Sequence, residues 1–148
     1  MTEFIIRKMR TEDIIRVQSL EEQVFNDPWT VQQFEYEIGE NPISVQYVLE
    51  INSAIRGYIV FWVTFDSSTI CKIAIDEAYR KEGLGSSLLE TMFDELENLQ
   101  VETSTLEVRV DNEAAITFYT KHGYSVVTVK AQYYHDGTDA YYMVRVLI

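Results

Sequence analysis

The stretch RKEGLGSS, Arg80 to Ser87, sets two cations, two glycines and two hydroxyls at the opening of an apolar helical pattern. A helix begins with up to four backbone N–H groups that lack an intrahelical acceptor, and its dipole adds positive potential there. Glycines at such a start let the chain bend sharply and let a ligand approach the amides. The chemistry served is anion binding, phosphate above all. The stretch is not a Walker loop, because no G-x-x-x-x-G-K-S/T is present, and its third dinucleotide-fingerprint position is Leu88 rather than glycine. By itself it stays open between a phosphate cradle and a plain strand-to-helix connection.

Two other constellations have chemical potential. In Leu106–Val110, side chains alternate, so Leu106, Val108 and Val110 share one face and Glu107 and Arg109 the other. Glu107 is there either a solvated carboxylate or a base. Asn112, Ala115, Ile116 and Tyr119 recur at helical spacing and share a face. At 1.5 Å per residue Asn112 and Tyr119 lie about 10 Å apart along the axis, within reach of one elongated ligand. Cys71 is the single cysteine, read as a small core residue before a nucleophile. With His122 and His135 it makes no zinc-ligand spacing, so no metal is expected.

The elements that would position these groups follow from periodicity. Phe4–Met9 reads as a strand. A helix capped by Thr11 or Asp13 carries Ile14, Val17, Leu20 and Val24, and a second, with Asp27 as cap and Pro28 at its first position, carries Val31, Phe34 and Ile38. Ser44–Ile51, Gly57–Phe65 and Thr69–Ile75 form a meander. Leu84–Leu99 has apolar residues at spacings of three and four. The strand Ser104–Val110, the helix Asn112–Gly123 and two strands, Tyr124–Lys130 and Tyr141–Ile148, complete the order β-α-α-β-β-β-α-β-α-β-β. The expected fold is α/β, a mixed sheet covered by helices, with residues 1–148 as one domain.

Composition narrows the partners. A formal charge of −12 repels a polyanion, which sets nucleic acid aside and suits a cationic peptide or an amine. No run of about 18 apolar residues offers a membrane span, and MTEFIIRKMR lacks the apolar core of a signal peptide, so a cytoplasmic protein is expected.

The loop, with ICKIAID before it and LEVRV and NEAAITFY after it, resembles the GCN5-related N-acetyltransferase (GNAT) family, whose loop signature is matched by Arg80, Gly83 and Gly85. LEEQVFNDPWT, LEVRVDNEAAITFYTKHGY and YYHDGTDAYYM are similar to the RimI-like ribosomal-protein alanine N-acetyltransferases within it. The resemblance implies a mostly antiparallel sheet with about four helices, and acetyl-CoA as cosubstrate. Arg80, Lys81, Glu82, Gly83, Leu84, Gly85, Ser86 and Asn112 would bind the coenzyme, and the backbone of Ile73, Ala74 and Ile75 would pair with its pantetheine arm. Glu82 is a departure, an acid where relatives carry basic or small residues, and is expected to point outward. Glu107 would be the general base and Tyr119 the proton donor to the leaving thiolate. Trp29, Tyr133, Tyr134 and Asp139 would meet the acceptor. Each of these four also has a packing or turn role open to it, Trp29 as a helix staple among them.

A neutral amine is needed to attack a thioester. An α-amino group is about one-tenth neutral at pH 7, a lysine less than about a thousandth, so one carboxylate suffices for an N-terminus. A phenol near 10 gives its proton uphill to a thiolate near 8.5, so Tyr119 would act mainly by hydrogen bonding with partial transfer. The expected acceptor is the N-terminal alanine of a ribosomal protein. The alternatives are another amine (lysine side chain, polyamine, small metabolite), a non-catalytic acyl-CoA sensor, or, more weakly, a nucleotide-binding domain.

Overall fold

The computed structural model describes residues 3–148. The order is β1 (Ile5–Lys8), α1 (Ile14–Val24), α2 (Val31–Gly39), β2 (Ser44–Ile51), β3 (Ala54–Thr64), β4 (Ser67–Ile75), α3 (Leu84–Asn98), β5 (Thr103–Arg109), α4 (Glu113–Lys121), β6 (Ser125–Lys130) and β7 (Ala140–Val146). Short 3₁₀ turns at Thr11–Asp13 and Glu77–Tyr79 precede α1 and α3. This is the expected order, with ends moved by at most three residues. No helix among the described residues is long and apolar enough to cross a membrane.

Seven strands form one sheet, ordered β1-β2-β3-β4-β5-β7-β6. Every pair is antiparallel except β4 with β5. Leu84, Leu88, Leu89, Met92 and Leu96 of α3 pack with Tyr119 of α4 on Leu49, Ile59, Phe61, Leu106 and Met143 of the sheet. On the opposite face Ile14, Val17 and Leu20 of α1 and Phe34 of α2 cover Val48, Tyr58, Val60 and Ala74. Each fully buried side chain of this size contributes about 1.5–3 kcal/mol, so both faces are firmly roofed.

The start of α2 differs from expectation. Asp27 and Pro28 lie before the helix, and Thr30 is its cap. Thr30 Oγ1 accepts from Gln33 N at 3.1 Å while Gln33 Oε1 accepts from Thr30 N at 2.8 Å. This reciprocal capping box satisfies two donors at once, which a lone Asp27 could not. Trp29, just before the cap, packs edge-on against Phe34 at 5.3 Å, a hydrophobic staple.

One irregularity shapes the centre. Val60 pairs with Lys72 but Phe61 with Ile70, so Cys71 is an extra residue in β4. Such a bulge bends its strand and increases its twist. It also sets Cys71 and Lys72 on the α1/α2 side, while Ile70, Ile73 and Ile75 pack on the α3/α4 side. Immediately before it, the parallel pairing of β4 with β5 ends, at Thr69 and Thr105. Their hydroxyls meet at 2.9 Å, and beyond them the strands part.

Candidate active site

The split between β4 and β5 leaves Ile73, Ala74 and Ile75 paired to β3 alone, through Ile59, Tyr58 and Gly57. At the end of β4 the chain turns through Asp76, whose Oδ1 accepts from Ala78 N at 3.1 Å, and enters the glycine loop. Arg80 folds back, its Nε donating to the Ile75 carbonyl at 3.1 Å. Lys81 and Gly83 both have left-handed backbones, with φ of 67° and 79°. Glu82 is solvent-exposed.

The two glycines answer to different demands. Gly83 is the N-cap of α3; its positive φ suits glycine, and it brings no capping oxygen to the first-turn amides. Gly85 has ordinary helical geometry, but a Cβ there would lie 3.2 Å from Phe118 Cζ of α4. Leu84 is buried beneath the turn, and Ser86 Oγ bonds His122 Nε2 at 2.8 Å. Burial, then the charges of Lys121 and Arg145, hold the His122 imidazole below its ordinary value. These residues fit a phosphate-bearing coenzyme: a helix start with a bare glycine cap, flanked by Arg80 and Lys81.

On the α1/α2 side of the split, Glu107 lines a cavity of about 290 Å³ with Trp29, Trp62, Cys71, Tyr133 and Tyr134. Glu107 Oε1 receives Lys130 Nζ from β6 at 2.8 Å. To reach it, Lys130 passes over the Tyr142 ring of β7, 4.7 Å from its centroid. The carboxylate raises the Lys130 pKa, chiefly through that hydrogen bond. Burial first, and then the charges of Glu37 and Glu107, push the Cys71 thiol up, so it is held protonated and is a poor nucleophile.

Tyr119 belongs to the opposite face, 8% exposed, among Leu84, Leu88 and Tyr124. Its hydroxyl makes no hydrogen bond among the described residues. Burial raises its pKa above the usual phenol value, and Tyr124 and Tyr134 add to the rise. Tyr134, pushed up to about 12 by burial, then Tyr133 and Glu107, is thus electrostatically coupled to both Tyr119 and Glu107. The base and acid candidates sit on the two faces of the sheet, with Tyr134 within charge reach of both.

The remaining expected residues have structural duties. Asn112 caps α4, its Oδ1 accepting from Ala115 N at 3.1 Å. Asp139 lies outside the cavity wall and closes the β6–β7 loop: its Oδ1 accepts from Gln132 N at 2.9 Å and its carbonyl from Val110 N at 3.1 Å. Tyr133 and Tyr134 form an edge-on pair at 5.0 Å. Arg109 fastens that loop, donating to Asp136 and, at 2.8 Å, to Thr138 Oγ1, with its guanidinium 4.8 Å from the Tyr134 ring. The facing α1–α2 loop hangs on Glu21, whose Oε2 accepts from Trp29 N at 2.9 Å and meets Lys72 Nζ at 2.8 Å, while the Tyr58 hydroxyl donates to Oε1. The loops touch through Asp27 and His135, 3.5 Å apart.

Sequence reasoning missed Lys130, Trp62, Glu21 and Lys72. Glu21 had a legible signal, an acid four residues after Val17 on the apolar stripe of α1. Lys130 and Trp62 had none, because their partners come from distant strands. No group of three or more His, Cys, Asp or Glu side chains among the described residues could hold a metal ion.

The acetyltransferase (GNAT) family profile matches residues 11–124. A putative ribosomal protein bS18-alanine N-acetyltransferase of Bacillus subtilis is 35% identical over 143 residues, covering 96% of this chain and 95% of that one. The crystal structure of the ribosomal-protein-alanine N-acetyltransferase from Escherichia coli superposes with a TM-score of 0.89 at 31% identity, covering 97% of this chain and 94% of the other. Ard1 from Thermoplasma volcanium gives a TM-score of 0.92 at 28% identity, covering 98% of each chain.

Proposed function

The chain belongs to the GNAT acetyltransferase family and is an acetyl-CoA-dependent N-acetyltransferase, and from that premise we propose that its acceptor is a polypeptide N-terminus, the N-terminal alanine of a ribosomal protein first. The observation that carries this reading is the place of Glu107: a carboxylate in a cavity walled by Trp29 of the α1–α2 loop and Tyr133 and Tyr134 of the β6–β7 loop, beside the β4–β5 split. Such a slot suits the end of a chain, and 35% identity to a putative bS18-alanine N-acetyltransferase supports the same acceptor.

In this reading the amides around Gly83 to Ser86 hold the coenzyme's diphosphate, with Arg80 and Lys81 adding positive charge and Asn112 a further contact. Leu84 and Gly85 form the floor of the turn, and exposed Glu82 stands away from the phosphates. The parted edge of Ile73 to Ile75 takes the pantetheine arm as a strand would, and one of its amides polarises the thioester oxygen. Acetyl-CoA supplies the activated acyl group.

The acceptor arrives largely as an ammonium ion. Glu107 accepts its proton, directly or through one water, and the Lys130 ammonium beside it disfavours a second positive charge. The neutral amine attacks, the C–N bond forms and the C–S bond breaks; the nitrogen gives up its second proton to solvent as the amide forms, which balances the proton that the sulfur gains as coenzyme A leaves as the thiol. Tyr119, kept protonated by burial, offers its hydrogen to the departing sulfur. Trp29 and the Tyr133–Tyr134 pair wall the acceptor, and Asp139 holds the shape of the loop that carries the tyrosines.

Mass spectrometry of ribosomal proteins incubated with the protein and acetyl-CoA tests the proposal. A gain of one acetyl group at an N-terminal alanine is expected. Acetylation confined to lysine side chains, polyamines or metabolites would transfer the function to those amines, and tight coenzyme A binding without turnover on any amine would make the protein a sensor.

A further inference from the structure

Three carboxylates are buried among the described residues: Asp13 at 7% exposure, Glu21 at 0% and Glu37 at 5%. Asp13 is ion-paired with Arg7 at 2.8 Å, and Glu21 with Lys72 at 2.8 Å. Glu37 receives only neutral donors: Asn41 Nδ2 at 3.0 Å on Oε2, and Ser44 Oγ at 2.8 Å and Trp62 Nε1 at 2.6 Å on Oε1. No lysine, arginine or histidine among the described residues forms an ion pair with it. Burying a carboxylate is costly unless a cation accompanies it, so this site is electrostatically incomplete.

Glu37 lines a second cavity, of about 430 Å³, together with Trp29, Gln32, Gln33, Tyr36 and Trp62. Two indole rings and a phenol ring around a buried carboxylate are the elements of a cation receptor, because aromatic faces attract positive charge and the carboxylate fixes its position. Trp29 and Trp62 also line the Glu107 cavity, so the two cavities are neighbours that share these walls. Cys71, in the wall of the Glu107 cavity, is reached by the negative charge of both Glu37 and Glu107, which places it near both. The net charge of −12 draws a basic chain towards these cavities.

We propose that the Glu37 cavity is a second acceptor subsite, which binds the cationic side chain of a residue a short way downstream of the amine that Glu107 serves. Arginine is the preferred occupant: its planar guanidinium stacks on aromatic faces while one N–H donates to Oε2, the Glu37 oxygen with acceptor capacity left, which a compact lysine ammonium does less well. The two cavities share Trp29 and Trp62, and an extended chain advances about 3.3–3.6 Å per residue, so the cation is expected among the second to fourth residues. The inference rests on the reading of the acceptor as a polypeptide N-terminus.

The test is a set of alanine-initiated peptides carrying arginine, lysine or the neutral isostere citrulline at the second, third or fourth position. With the unaltered protein, arginine at one position should raise kcat/KM over citrulline by at least about tenfold, through KM rather than kcat, with lysine between them. The ratio should collapse towards unity in Glu37→Gln. Equal rates for arginine and citrulline peptides at every position overturn the subsite and leave the acceptor reading standing. An arginine advantage that survives Glu37→Gln overturns its assignment to this cavity. Acetylation of none of the peptides overturns the acceptor reading and the subsite with it. The comparison within the unaltered protein stands even if Glu37→Gln loosens the α2–β2 loop.

Discussion

Lys130 Nζ lies 2.8 Å from Oε1 of Glu107, so the base proposed for the reaction carries its own counterion, delivered from two strands away across Tyr142. The pair has two separable roles. The carboxylate takes a proton from the acceptor, and the ammonium discourages the acceptor from keeping one.

Glu107→Gln keeps the shape and removes the proton acceptor. It should lower kcat/KM by about 10²–10⁴ while the Kd for coenzyme A stays where it was, measured by calorimetry. A rate unchanged across the pH range would remove Glu107 as the base.

Lys130→Met removes a positive charge that Glu107 keeps protonated well beyond neutrality. Without it, a bound amine loses its proton at higher pH. The rise of kcat with pH, which reports groups in the bound complex, should therefore move in the alkaline direction, by up to about one unit. A curve that does not move would place the ammonium outside the acceptor's electrostatic reach.

Tyr119→Phe separates packing from chemistry. The ring stays among Leu84, Leu88 and Tyr124, and only a hydroxyl with no hydrogen-bond partner among the described residues is lost, so Tm should hold. If the phenol assists the departing sulfur, kcat should fall roughly 10- to 100-fold. Because burial raises its pKa, the tyrosine of the unaltered protein should impose no fall in rate below about pH 10.

The two glycines of the loop should fail differently. Gly83→Ala places a Cβ on a backbone with φ of 79°, costing about 1 kcal/mol in stability and disturbing the helix start. Gly85→Ala presses on Phe118 instead. Both should weaken coenzyme A binding in calorimetry. A stability loss at unchanged Kd would return the loop to a plain connection.

Glu21→Ala leaves the Lys72 ammonium in a largely buried place without its counterion and releases Trp29 N. Losses of about 3–5 kcal/mol are usual for one half of a buried pair, equivalent to a Tm drop on the order of 10 °C here. A raised KM for the acceptor should appear before unfolding does, since Trp29 walls both cavities.

The fold was legible to the extent that it was periodic. The stripe from Leu84 to Leu96 announced α3, and the alternation from Leu106 to Val108 announced β5. The start of α2 was misplaced because Asp-Pro is a strong local signal, whereas the reciprocal Thr30–Gln33 cap that prevails needs two residues read together. At the candidate site, residues carried by motifs were visible: Gly83 and Gly85 in the loop, Asn112 and Tyr119 on one helix. Residues that act through contacts between distant segments were not. The Lys130–Glu107 pair spans 23 positions and the Trp62–Glu37 contact 25, and no spacing in one dimension announces either.

The surplus residue at position 71 has a meaning beyond local geometry. Removing it would restore strict alternation along β4 and let hydrogen bonding continue past Thr69 towards β5. The sheet would then seal like a closed zip, while Lys72 would keep its side of the sheet and its place beside Glu21. A single amino acid of slack thus holds a doorway open through an otherwise continuous wall, and a shorter chain with every proposed reactive group intact would have the tools but no entrance.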